Sequence, residues 1–184
     1  MFGLFSFPMV LLYAALYGVT MKTADLLNEH GLKLFRGSAV LFGALWGAFG
    51  VLLVLSNNAL ANVILAMNIA FIIRNRLDFI NHGIAASTII IGFLASSVFE
   101  PFLFLAFYCV FLIFGSLKDY SEAVGNKKIK LVSALRLNEV MFYYPVPAFV
   151  YCAIYGEWIV FWAMAVYIGA YDLTKYFAKK RGYK

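Results

Sequence analysis

Lys118, Asp119, Glu122 and Asn126 stand close together in a chain with few polar residues. On a helix, positions three to four apart share a face. Asp119, Glu122 and Asn126 therefore make an oxygen-rich stripe. Hard oxygen ligands suit Mg2+, which keeps part of its water shell and binds through a couple of carboxylates together with substrate phosphates. Lys127, Lys128 and Lys130 follow directly and can neutralise a diphosphate.

Three segments repeat a loose pattern: a basic residue, an Asp, then a Gly five or six positions after the Asp. They run from Lys22 through Asp25 to Gly31, from Arg76 through Asp78 to Gly83, and from Lys118 through Asp119 to Gly125. A fourth, Asp172-Leu173-Thr174-Lys175, keeps only the acid and the base. Two readings stand side by side. One is a set of helix ends at a membrane interface, closed by glycine, with Lys and Arg reaching toward head groups. The other is a functional face, where acids beside bases hold a metal and an anionic substrate together. His30 and His82 lie in two of these segments. Histidines near acids can form a metal or acid–base site. These two are far apart in the chain and nothing in the sequence joins them, so polar loop caps are the expectation.

The segment Lys118-Asp119-Tyr120-Ser121-Glu122, with Gly125-Asn126-Lys127-Lys128 and Ser133-Ala134-Leu135 after it, resembles the second aspartate-rich motif of UbiA-type intramembrane prenyltransferases. That motif has Lys-Asp, an acid three residues on, Gly-Asp with bases following, then Thr-Leu. Glu122 stands where the family has Asp, and Asn126 replaces another Asp. Asp78-Phe79-Ile80-Asn81 resembles the end of the family's first motif, Asp-x-x-Asn, but Arg74 and Ala70 stand where upstream acids belong. The chain is also shorter than the family and has fewer spans. The resemblance implies an isoprenyl diphosphate bound at the cytoplasmic face and its ionisation to prenylate an acceptor. It places Mg2+ on Asp119, Glu122, Asn126, Asp78 and Asn81, and phosphate on Lys118, Lys127 and Arg76. The alternative is a non-enzymatic membrane protein, either a small transporter or a subunit of a membrane complex.

These residues must be positioned by apolar elements. Of 184 residues, 64% are hydrophobic, 18% aromatic and 13% charged. A soluble domain is nearer half apolar and a quarter charged. A chain this short buries only about two-thirds of its surface on folding, so the apolar excess cannot be hidden in water. The composition excludes a soluble enzyme, a disordered chain and a disulfide-stapled module. A spanning helix takes about 20 mostly apolar residues. Cut at its charges, the chain gives seven candidate spans: 1–20, 38–56, 59–73, 84–99, 101–117, 140–156 and 157–173. The count is six to seven, and it weakens if the marginal hairpin 84–117 is re-entrant. All 15 Lys and Arg fall on one side of this arrangement. Cytoplasmic loops collect such residues. The expectation is one all-α, polytopic membrane domain over 1–184, N-terminus outside and C-terminus in the cytoplasm, multi-pass in the cell membrane. The charge following the first apolar run anchors that helix rather than marking a cleaved signal. The +6 net charge is then a sign of orientation and not of nucleic-acid binding.

The remaining features read as structural. Cys109 and Cys152 sit apart in apolar runs and form no metal or redox motif. Gly43, Gly47 and Gly50 have the small-residue spacing of a close helix contact, internal or between subunits, which leaves a homo-oligomer or a partner subunit open. Pro145 and Pro147 kink or break the sixth span early. Asn62 and Asn68 are mild interhelical glue. No acid or base stands deep in a span, which lowers the case for a proton-coupled transporter.

Overall fold

A computed structural model describes residues 3–124 and 144–183, with backbone alone for 118 and 121–124. The described residues form an all-α bundle of seven helices. They are α1 (Phe7–Glu29), α2 (Ser38–Ser56), α3 (Asn58–Ile73), α4 (Ile80–Ser96), α5 (Pro101–Val124), α6 (Pro145–Tyr155) and α7 (Trp158–Lys180). By length and composition, α1 and α2 are long and apolar enough to cross a membrane. α3, α4, α6 and the Pro101–Leu117 part of α5 are shorter apolar helices.

Tight connections reverse the chain at Asn57, at 97–100 and at 156–157. α2 packs most closely on α4 and α1, α1 on α7, and α3 on α5. The close approaches are made by glycine. A side-chain carbon on Gly43 would stand 2.6 Å from the backbone oxygen of Asn81, and one on Gly50 would meet Ile89. Gly18 lies in the same way against the backbone of Tyr167 and Tyr171. The spaced glycines of α2 therefore serve contacts within the bundle, seating α4 on it.

α3 is enclosed on every side: Leu60, Ala61, Val63, Ile64, Ala66 and Met67 are all buried. A helix apolar all round belongs in a core. Beside it runs a line of ring contacts. Phe111 meets Tyr144 (5.3 Å between centroids), Tyr144 meets Tyr167 (5.7 Å), Tyr167 meets Tyr17 (5.0 Å), Tyr17 meets Trp46 (6.2 Å) and Trp46 meets His82 (5.7 Å). Most of these are edge-to-face, the arrangement the ring quadrupole favours.

α1, α5 and α7 continue beyond their apolar runs into polar sequence. Hydrophobicity ends there, but helix propensity does not, since Ala, Leu, Lys and Glu are all good helix formers. α4 begins at Ile80, earlier than its apolar run, so Asn81 and His82 lie in its first turn. α6 starts at Pro145, in keeping with the break expected there. The described part of 140–156 thus begins at 144.

Candidate functional site

The bundle has two polar ends. At one end α1, α3, α5 and α7 finish and α4 begins. The Lys and Arg of the described segments, from Lys22 and Arg74 to Arg181, lie at this end or in its connections. At the other end are Asn57, Asn58, Glu100 and Glu157.

At the basic end, the D-x-x-N sequence of α1 (Asp25, Asn28) meets that of the segment entering α4 (Asp78, Asn81). The Asn28 amide donates to the side-chain oxygen of Asn81. Asn81 in turn donates to the carbonyl of Ala24 (3.4 Å), and it is buried. This pairing sets His82 beside α1. Its ring is held edge-on by Trp46 and by Phe79 (5.5 Å). His82 Nε2 stands 3.4 Å from Asp25 Oδ1. Its Nδ1 stands 3.4 Å from Asp78 Oδ1 and 3.3 Å from the Arg76 carbonyl oxygen. The other oxygen of Asp25 accepts from the Tyr171 hydroxyl (2.9 Å) and lies 3.5 Å from Lys22 Nζ. Ligand atoms of Asp25, Glu29 and His82 all fall within 4.8 Å of one another.

A second cluster lies where α3 and α5 end. Arg74 donates from Nε and Nη2 to the two oxygens of Asp119, each at 3.0 Å. Arg76 also donates to Asp119. The fork of a guanidinium matches a carboxylate in this geometry. Arg74 is nearly buried, with 6% of its side chain exposed. Burial would raise the Asp119 carboxyl, but hydrogen bonds and charge from Arg74 and Arg76 outweigh it and hold the group below its usual value. A divalent ion at Asp119 would have to displace Arg74 from it.

Of the residues singled out by sequence, Arg76 and Asp119 are brought together. Asp78 and Asn81 belong to the neighbouring histidine cluster. Arg76 joins the two, with its guanidinium on Asp119 and its carbonyl at His82. Asn126 and Lys127 lie outside the described residues, as do the side chains of Lys118 and Glu122. Sequence reasoning missed Asp25, Glu29 and His82 as one group. The signal was present in the repeated Asp-x-x-Asn followed by His-Gly in the first two segments, since like segments at like helix ends can pack as partners.

At the opposite end, Asn58 and Asn62, one turn apart on α3, hold the α4–α5 connection. The Val98 N–H donates to Asn58 Oδ1 (2.8 Å) and the Glu100 N–H to Asn62 Oδ1 (2.9 Å). The Asn62 amide donates to the carbonyls of Asn58 and Val98, both at 2.9 Å. The Asn58 amide donates to Glu100, and Asn57 caps α3 by accepting from Leu60 N–H. These side chains replace the backbone partners that helix ends lack.

Compared with family models, with curated proteins and with solved structures, the chain matches none.

Proposed function

We propose that the chain is a multi-spanning membrane protein, N-terminus outside and C-terminus in the cytoplasm, which binds a phosphorylated lipid at its basic end. An isoprenyl diphosphate is the expected ligand, in keeping with the UbiA resemblance of the Lys118 segment. The observation that carries this reading is the sorting of charge: the described cations collect at one end of a bundle whose flanks stay apolar. Large side chains such as Phe102, Leu94, Ile91 and Ile154 are well exposed along α4, α5 and α6. Lipid tails cover such surface at no cost, whereas water penalises it by about 25 cal/mol for each Å2. α3 and α4, with 16 and 17 residues, are shorter than a full span and are accommodated by a locally thinned bilayer.

In this reading Arg74 and Arg76 serve the phosphate, and Lys118 and Lys127, whose side chains lie outside the described residues, are the further cations the sequence offers for it. Asp119 fixes the direction of both guanidiniums, the planar fork that recognises phosphate best. Asp78, Glu122 and Asn126 would be the oxygen donors for Mg2+ bound with the diphosphate, whereas Asn81, expected beside them, is buried with its oxygen accepting from Asn28. Mg2+ would neutralise charge on the departing diphosphate. The test is thermal stabilisation of the detergent-purified chain by geranylgeranyl diphosphate, with and without Mg2+, followed by transfer of a labelled prenyl chain to a lipid acceptor. Stabilisation that needs Mg2+ and is lost in Arg74→Met supports the reading. Indifference to the diphosphate in both conditions rejects it.

A second reading, a transporter or a subunit of a membrane complex, is favoured by one observation. Tyr17 Oη, Trp46 Nε1 and Asn68 Oδ1 form one buried group, with Tyr17 in reach of both others but no bond well aligned. Buried polar atoms ordinarily find a partner, and a small polar solute in the bundle interior would supply one. Stabilisation by such a solute in the absence of Mg2+ supports this reading over the first.

A further inference from the structure

The cluster of Asp25, Glu29 and His82 has a feature that ion pairing alone does not explain. His82 is 4% exposed, and its Nε2 has no aligned hydrogen-bond partner. That nitrogen faces Asp25 Oδ1 at 3.4 Å. The other ring nitrogen is next to the Arg76 carbonyl oxygen and the Asp78 carboxylate, both acceptors. Burial opposes charge on the ring, but Asp25, Glu29 and Asp78 outweigh it and favour the proton. In the neutral ring, the two acceptors at Nδ1 take the remaining proton and turn the Nε2 lone pair toward Asp25 Oδ1, so a divalent cation can replace the proton between them.

We propose that Asp25, Glu29 and His82 bind a divalent first-row transition metal of the Zn2+ class. Ligands about 2.1 Å from a tetrahedral ion stand roughly 3.4 Å apart. That is the separation of His82 Nε2 and Asp25 Oδ1. The surroundings have the character of a metal site's outer shell. A ligating histidine commonly donates its second N–H to a carbonyl or carboxylate, and a ligating carboxylate is itself hydrogen-bonded. Here Arg76 and Asp78 serve the imidazole, while Tyr171 and Lys22 hold Asp25 Oδ2 and leave Oδ1 for the metal. Trp46 and Phe79 fix the ring plane. Glu29 is a turn on from Asp25, at the exposed end of α1, and swings in as third ligand. A fourth position stays open toward solvent. Imidazole with two carboxylates suits Zn2+ and its neighbours better than Mg2+, which prefers oxygen alone. The proposal does not rest on the lipid-phosphate reading, since the metal is taken with no phosphate present, although Asp78 and Arg76 figure in both.

The experiment uses the full chain, free of any affinity tag, in detergent and stripped with chelator. Co2+ is titrated in as the spectroscopic probe and Zn2+ as the competitor. The expected result is one Co2+ per chain with the strong visible absorption of a four-coordinate ion, displaced by Zn2+. Glu29→Gln, a substitution at an exposed position, and His82→Gln are expected to weaken binding roughly tenfold or more, since even outer-shell partners bring losses of this order. Melting curves of the metal-free variants show that each is folded. No saturable binding by the unaltered chain, or binding unchanged in both variants, overturns the proposal. Loss of diphosphate stabilisation with Co2+ binding intact would reject the lipid reading alone.

Discussion

The two polar ends of the bundle use the same helix termini in opposite ways. At one end, the side-chain oxygens of Asn57, Asn58 and Asn62 accept from backbone N–H groups of the turns. Their amides donate to backbone carbonyls from Asn62 and to the carboxylates of Glu157 and Glu100 from Asn57 and Asn58, so donors and acceptors are matched. At the other end, Lys22, Asp25, Asp78, His82, Arg74, Arg76 and Asp119 meet mainly each other. His82 Nε2, at 3.4 Å from Asp25, is buried without an aligned hydrogen bond, whereas the Asn62 amide and oxygen are both aligned on backbone partners at 2.9 Å. A closed network fixes a turn. A charged, incompletely aligned one can accept a ligand, because polar groups held without ideal partners gain when one arrives.

This contrast can be tested from its strongest consequence downward. Asn62→Leu keeps the volume of the side chain but strands Val98 O and Glu100 N. The three bonds of Asn62 are part-buried, and each is worth about 1 kcal/mol net, so the loss is expected to be about 3 kcal/mol, read as a lowered melting temperature in detergent. Arg74→Met removes the fork from Asp119 and is expected to cost about 2 kcal/mol, the range of hydrogen bonds to a charged group. The pH dependence of that pair has a definite sign. Asp119 releases its proton more readily in the folded chain than in the unfolded one. Its contribution is therefore complete above the ordinary value of 3.8 and fades as pH falls below it through the lower folded value. Melting followed from pH 6 to pH 3 should show this loss in the unaltered chain and a smaller one in Arg74→Met. Tyr171→Phe deletes one hydrogen bond to Asp25 and is expected to cost about 1 kcal/mol. If Asn62→Leu proves no worse than Tyr171→Phe, the amide end is not the closed network described.

Much of the fold is legible from the apolar runs. The run 38–56 is α2, and 59–73 is α3 with the capping Asn57 just ahead of it. Hydropathy reads less well at the basic end, because helices do not stop where apolarity stops. α1, given as 1–20, begins only at Phe7 and carries on to Glu29. That extra length places Asp25 and Asn28 against Asn81. The glycine spacing of α2 was legible as a helix contact, but the identity of its partner, α4, depends on tertiary packing. The sequence reads Asn62 as mild glue, and two of its three side-chain bonds depend on the turn at 97–100 folding back over α3. Arg74 and Arg76 were legible as basic residues beside Asp78, whereas their carboxylate partner is Asp119, on another helix. Pairings between distant segments leave no periodic mark in a single sequence.

Arg76 reaches both charged clusters, with its side chain on Asp119 and its peptide oxygen beside His82 Nδ1. The two clusters are thus separated by the atoms of one residue. If a ligand that draws the guanidinium off Asp119 also moves that peptide, the contact at His82 Nδ1 changes with it. Whatever free energy couples the two events acts equally in both directions. An ion bound at His82 would alter the affinity of the arginine pair for an anion by the same factor as the anion alters the affinity for the ion. The segment between α3 and α4 therefore carries a contact of each charged cluster on one residue.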